Sequence, residues 1–144
     1  MGQVASMIDY LNGVKPSGKS RFSDMMLKYK KYLTSRAFIV LASDFLMDIE
    51  EIREGLLALA SGNHEIKVVQ VLDVTEKELP LEGDVKLKDA ESDEVLRTYV
   101  GPKLVTEYES RLDHHIAQIG NICTGIKADF YVATTATPIF DILY

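Results

Sequence analysis

Residues 38–45 have the sequence FIVLASDF, an unbroken apolar stretch that stops at a small hydroxyl residue, Ser43, and a carboxylate, Asp44. Such a stretch predicts a buried strand over residues 37–43 that delivers Asp44 to a loop. A carboxylate at the carboxyl end of a parallel strand lies where open α/β sheets bind their ligands. Asp44 is therefore the first candidate for a functional residue.

The segments around this strand predict an α/β fold. Residues 22–34 have apolar positions at helical spacing with lysines between them, which indicates an amphipathic helix. Asp48 followed by Glu51 is a capping pattern that begins a second helix, and Gly62-Asn63 can end it. The β-branched run over residues 66–72 then predicts a second strand. Strand, helix and strand in this order are typical of a parallel sheet with a right-handed crossover.

The remaining chain adds a hairpin, a long helix and a third strand. Spacing predicts a helix over 3–12, a β-hairpin insertion within 79–99, a helix starting at Gly101-Pro102 and a strand over 129–135. Three parallel strands make a thin sheet, and the strand over 37–43 is as apolar as one with neighbours on both sides. We therefore expect a second copy of the chain to cover its edge in a homodimer, or the chain to be half of a larger domain.

Composition excludes several classes of protein. The chain has 144 residues, enough for one domain with its own core, and a net charge of −6, which argues against a general nucleic-acid surface. No apolar run approaches the roughly 20 residues of a membrane helix, and the first residues carry no export signal, so we expect no membrane contact by this segment and a cytoplasmic location. The single Cys123 lies on a helical stripe with Ile119 and Ile126, which favours an inert buried thiol.

No convincing catalytic set is present, so we predict that the protein is not an enzyme. His114 and His115 are adjacent on a predicted helix and point about 100° apart, so they do not form a metal pair. One motif offers an alternative function. Residues 13–20, GVKPSGKS, satisfy the phosphate-loop pattern of nucleotide-binding proteins, but that pattern requires a strand directly before it, and the preceding residues have helical spacing.

Taken together, several motifs resemble the family called domain of unknown function 58, which is similar to von Willebrand factor A domains. These motifs are Gly18-Lys19-Ser20, LASDFL from Leu41 to Leu46, VVQVLD from Val68 to Asp73, residues 76–80 and residues 89–92. The resemblance continues through residues 108–114 and the late strand, so it covers nearly the whole chain. It implies a Rossmann-like, mostly parallel, three-layer sheet with a metal-ion-dependent adhesion site, and a partnership with MoxR-type AAA ATPases.

The same resemblance implies two metal ligands. Asp44 matches the family's loop aspartate and Ser20 its second-loop serine or threonine, both hard oxygen ligands suited to Mg²⁺. The Asp-x-Ser-x-Ser motif that supplies most of the site is absent, so residues 1–144 resemble the later half of such a domain, with a partial site that Mg²⁺ would occupy in a full-length parent. The leading hypothesis is a non-enzymatic protein–protein interaction module. The alternatives are nucleotide binding by Gly13 to Ser20, and a purely structural homodimerisation piece.

Overall fold

A computed structural model of the chain describes residues 2–15, 21–88 and 95–138. Within these ranges the chain forms five helices and five strands. The helices are α1 (Gly2–Gly13), α2 (Phe22–Lys30), α3 (Ile49–Ala60), α4 (Val74–Lys77) and α5 (Pro102–Gly125). The strands are β1 (Phe38–Ser43), β2 (Glu65–Leu72), β3 (Gly83–Lys88), β4 (Val95–Val100) and β5 (Asp129–Thr134). No helix in these ranges is both long and apolar enough to cross a bilayer.

The predicted parallel sheet is confirmed. Its three strands have the order β1-β2-β5, and both pairs are parallel. Ile39 lies beside Ile66, and Val68 lies between Leu41 and Phe130, so these side chains share one face of the sheet. The first two of these residues and Val68 belong to one buried core together with side chains of α2, α3 and α5. The chain is therefore an α/β protein whose core lies between this face and the helices.

The helices that pack on the sheet lie on a single face, so the expected three-layer arrangement is wrong for the described residues, which form two layers. The reason is the strand order. Each crossover, through α3 and then through α5, moves the chain in the same direction along the sheet, and right-handed crossovers in one direction place their helices on the same side. On the opposite face, Phe38, Val40 and Tyr131 are 57%, 45% and 40% exposed.

α2 and α3 pack closely against each other above β1. Phe22 and Met26 bury one side of α2, and the backbone N–H of Phe22 donates to the Glu51 carboxylate, which satisfies a helix-terminal donor from the neighbouring helix. As the capping pattern predicts, the carboxylate of Asp48 accepts a hydrogen bond from the N–H of Glu50, at 2.8 Å, and begins α3. These contacts set the position of the loop between β1 and α3.

The predicted hairpin is also present and lies outside the parallel sheet. β3 and β4 pair antiparallel in a two-stranded sheet of their own, from Gly83 opposite Val100 to Lys88 opposite Val95. α1 likewise covers the predicted helix over 3–12, and its apolar side chains Met7, Ile8 and Leu11 are exposed. Among the side chains that the structure describes, neither element contributes to the main core.

Candidate functional site

Three loops meet at the carboxyl edge of the parallel sheet. β1 ends at Ser43, β2 at Leu72 and β5 at Thr134, and the register places Ser43 beside Gln70 and Leu72 beside Thr134. Asp44 directly follows β1 at this edge and is exposed, in the position that its sequence context predicts. Open parallel sheets commonly bind their ligands at this edge, and Asp44 is the first carboxylate after β1 there.

The Asp44 carboxylate is anchored through one oxygen. Its Oδ1 accepts the backbone N–H of Leu46 and the hydroxyl of Ser43, each at 3.3 Å, and the Ser43 hydroxyl in turn accepts the N–H of Phe45 at 3.1 Å. Within the described residues, Oδ2 makes no hydrogen bond. The loop therefore orients the carboxylate through one of its two oxygens.

Phe45 turns the loop through an unusual backbone conformation. Its φ is +52°, in the left-handed region that residues with a Cβ adopt rarely. The side chain is fully buried, and its ring meets that of Phe22 edge to face, with centroids 5.8 Å apart. At this turn the Phe45 ring is buried, whereas the carboxylate of the preceding residue is exposed.

Two side chains from distant elements hold the carbonyl groups of this loop. The Gln70 Nε2 on β2 donates to the Asp44 carbonyl oxygen at 2.8 Å, and the His115 Nε2 on α5 lies 2.7 Å from the Phe45 carbonyl oxygen. Gln70 was not among the residues predicted for the site. A signal was present, because a polar amide interrupts the apolar run of β2 on the face that carries the core.

Asp73 occupies the equivalent position after β2 but is used structurally. Its Oδ1 accepts the N–H and the hydroxyl of Thr75, at 2.8 and 2.6 Å, and its Oδ2 accepts the Thr135 hydroxyl at 3.1 Å. The reciprocal bond from its own N–H to the Glu76 carboxylate completes a capping box at the start of α4. The hydrogen bonds from Thr75, and then the one from Thr135, lower the pKa of the Asp73 carboxyl.

The described residues alone do not make a metal site. Of the two expected ligands, Asp44 is present at the sheet edge, whereas Ser20 lies outside the described residues. No group of three His, Cys, Asp or Glu side chains in the described ranges could hold a metal ion. Mg²⁺ sites commonly combine one or two carboxylates with substrate phosphates and several waters, and of the expected ligands only the Asp44 carboxylate is among the described residues.

The phosphate-loop pattern lacks its structural context. The residues before Gly13 form α1, where a phosphate loop requires a strand to aim its backbone amides at the phosphates. Most of the motif itself, residues 16–20, lies outside the described residues. The helix argues strongly against nucleotide binding at this segment.

The thiol is buried, and two of the three imidazoles are hydrogen-bonded to the backbone. Burial raises the pKa of the Cys123 thiol to about 11, which keeps it protonated and unreactive at neutral pH. The His64 Nδ1 accepts the N–H of Ala37 at 3.2 Å. This half-buried ring therefore links the turn before β2 to the residue before β1. His115 is used by the loop carbonyl described above, and His114 is exposed.

An open groove of about 290 Å³ lies beside the Asp44 loop. It runs between the loop and α5, and its lining is mainly apolar with one guanidinium at the rim. Its lining residues are Leu46, Met47, Tyr108, Arg111, Leu112 and His115. Leu46 is 49% exposed there, so an apolar side chain stands at the surface two residues from the Asp44 carboxylate.

Comparison with known proteins gives a family but no function. Over 93 residues, 65% of this chain, it is 37% identical to the uncharacterized proteins Mb1516 of Mycobacterium bovis and MT1527 and Rv1480 of Mycobacterium tuberculosis. The match spans 29% of the length of each of these relatives. No solved structure matches the chain significantly. The family model described as "Protein of unknown function DUF58" matches residues 2–118, and the chain therefore belongs to the DUF58 family.

Proposed function

We propose that this chain is a non-enzymatic protein–protein interaction module that binds its partner at the carboxyl edge of the parallel sheet. The observation that carries the proposal is the presentation of Asp44, an exposed carboxylate with one oxygen anchored by Leu46 and Ser43. The edge is also where parallel sheets bind ligands.

The groove next to Asp44 supports a peptide or protein surface as the ligand. Exposed apolar area rimmed by polar groups is typical of interaction sites, and here Leu46 and Met47, which follow Asp44 in the same loop, line the groove. A partner that places an apolar side chain in the groove would bring a polar group within reach of Asp44. The module would therefore recognise an apolar residue and a polar group together.

The finer part of the proposal concerns the type of module. The resemblance to von Willebrand factor A domains suggests that Asp44 and Ser20 contribute to a Mg²⁺ site in a longer parent protein, and that the partner is a MoxR-type AAA ATPase. The oxygen donors of both residues suit Mg²⁺. Because one carboxylate is insufficient, further ligands would have to come from residues beyond the described ones or from the partner.

The first experiment substitutes Asp44 and measures capture of a purified MoxR-type AAA ATPase by the immobilised chain. Asp44→Ala should weaken capture at least about tenfold, the effect expected when a charged group at a binding site is removed. Asp129→Ala is the matched control, because Asp129 is an exposed aspartate at the amino end of β5, on the opposite edge of the same sheet. It should leave capture unchanged.

Equal capture by the Asp44→Ala variant, with wild-type circular dichroism, would remove Asp44 from the proposal. Titration of the chain with Mg²⁺, followed by amide chemical shifts, separates the metal from the partner. Shifts at Leu46 that Asp44→Ala abolishes would indicate a site that works in this chain. Their absence would indicate that ligands outside the chain are required.

A second candidate function rests on β1. Among the described residues this strand pairs only with β2, and Phe38 and Val40 are exposed on the face away from the helices. Unpaired strand edges of this kind favour addition of another strand. A second copy of the chain at this edge would make the protein a structural homodimerisation piece, with two copies of Asp44 near the shared seam.

A further inference from the structure

We propose that Gln70 and His115 are positioning residues for Asp44. They bind the carbonyl oxygens of two successive residues, Asp44 and Phe45, and so determine where the Asp44 carboxylate is presented. The effect of these two residues on partner binding rests on the proposed binding function. The loop geometry that it invokes can be tested without a partner.

Within the described residues, the Gln70 side chain makes one hydrogen bond, through its NH₂ group, and its amide oxygen has no partner. The side chain is fully buried, and its Nε2 donates to the Asp44 carbonyl at 2.8 Å. The orientation of the amide follows from chemistry, since only the NH₂ group can donate to a carbonyl oxygen. A buried acceptor without a partner is unfavourable, and a leucine at this position would not carry that cost. The amide is thus poorly suited to stability and well suited to holding the loop.

His115 reaches the same loop from α5. Its Nε2 lies 2.7 Å from the Phe45 carbonyl oxygen, 70 residues away in the chain. Because the carbonyl can only accept, Nε2 must carry the hydrogen, as it does in one neutral tautomer and in the imidazolium. The contact therefore survives protonation of the ring.

The two contacts act on a backbone segment that would otherwise relax. Phe45 has a φ of +52°, and its buried ring is held by Phe22, but a held ring does not determine the orientation of the peptide groups on either side. Donors from β2 and from α5 determine these orientations at two consecutive carbonyls. Without them, the preceding peptide can rotate and carry the Asp44 side chain away from its present direction.

The experiment measures the loop directly in the folded chain. The N–H groups of Phe45 and Leu46 donate to the Ser43 hydroxyl and the Asp44 carboxylate, so their hydrogen-exchange rates report whether the turn is formed. Gln70→Leu and His115→Leu should each accelerate exchange at these two amides about five- to tenfold, the factor that one hydrogen bond commonly contributes. Exchange at the amides of α3 should not change.

Conservative and neighbouring substitutions provide the controls. His115→Gln places an amide donor where Nε2 lies and should restore slow exchange. His114→Leu alters the adjacent, exposed histidine and should have no effect on the loop. Gln70→Leu should keep or raise the melting temperature while it weakens Asp44-dependent capture of the AAA ATPase about five- to tenfold, a combination that a merely structural role does not produce.

Wild-type exchange at both amides in the two leucine variants would overturn the inference. So would a fall in melting temperature with uniformly faster exchange, since that result assigns both residues to general stability. If the loop amides respond but Asp44→Ala leaves capture unchanged, the proposed binding function fails, and the role of the two residues in shaping the loop is supported on its own.

Discussion

Asp73 shows how a carboxylate at the carboxyl edge of the sheet can have a structural role. Its hydrogen bonds from Thr75 and Thr135 stabilise the ionised form, so the pKa of this carboxyl is lower in the folded chain than in the unfolded one. A group with a depressed folded pKa contributes stability that is present above its unfolded pKa, about 4, and is lost as pH falls through the folded value. Asp73 therefore makes the fold more stable at neutral than at acidic pH.

We expect Asp73→Asn to be less stable than wild type at pH 7, because an asparagine carbonyl can accept from Thr75 but its NH₂ group cannot accept from Thr135. The difference in the free energy of unfolding between the two proteins should narrow as the pH falls below about 4. There the wild-type carboxyl becomes protonated and no longer accepts both sets of hydrogen bonds as a carboxylate. Urea unfolding at several pH values between 2.5 and 7 measures this. A gap that stayed constant over that range would show that the charge of Asp73 does not contribute to stability.

At the scale of elements, Gly55 sets the distance between α2 and α3. A Cβ at this position would lie 2.5 Å from Phe22 Cε1 and 2.6 Å from Cδ1, closer than packed atoms allow. In Gly55→Ala, overpacking should lower the free energy of unfolding by about 1–3 kcal/mol. The better helix propensity of alanine should offset up to about 1 kcal/mol of this loss. Urea unfolding checks the value. Since Phe22 also contacts the Phe45 ring, the substitution should disturb the amides of the Asp44 loop as well.

Gly125→Ala is the matched control for this substitution. Gly125 is the last residue of α5, and a Cβ there meets nothing within 4 Å. The variant should be neutral or slightly stabilised. If both alanine variants unfold at the wild-type urea concentration, the two helices adapt to the extra methyl group and Gly55 does not set their distance.

The elements themselves could largely be predicted from local patterns, whereas the arrangement of the loop could not. The apolar runs of β1 and β2, and Asp48 at the start of α3, are local signals, and the position of Asp44 follows from the end of its strand. The contacts of Gln70 and His115 join residues 26 and 70 positions apart, and no periodicity announces them. The single helical layer likewise depends on strand order, which the spacing of apolar residues does not contain.

At the scale of the whole molecule, the sheet has exposed apolar side chains on the face away from the helices as well as a buried apolar face. In the sheet that the described residues form, β1 and β5 are the edge strands, and Phe38 and Val40 are exposed on the face away from the helices, next to the outer edge of β1. Apolar strands at an edge are prone to pair with other chains, and natural proteins commonly protect such edges with charges or cover them. Since β1 carries no charged residue between Phe38 and Ser43, we expect it to be covered.

We expect a second copy of the chain to cover β1, so the isolated chain should be a dimer by light scattering at micromolar concentration. Val40→Lys places a charge beside the free edge and should convert it to monomer, since lysine at an edge strand opposes strand pairing. Val132→Lys is the control, because Val132 on the other edge strand is exposed to a similar degree, 41% against 45%, and should leave the dimer intact. Exposed substitutions of this kind typically change stability by less than about 0.5 kcal/mol, so both variants should remain folded. A monomeric wild-type chain would contradict homodimerisation and assign the β1 edge to another partner.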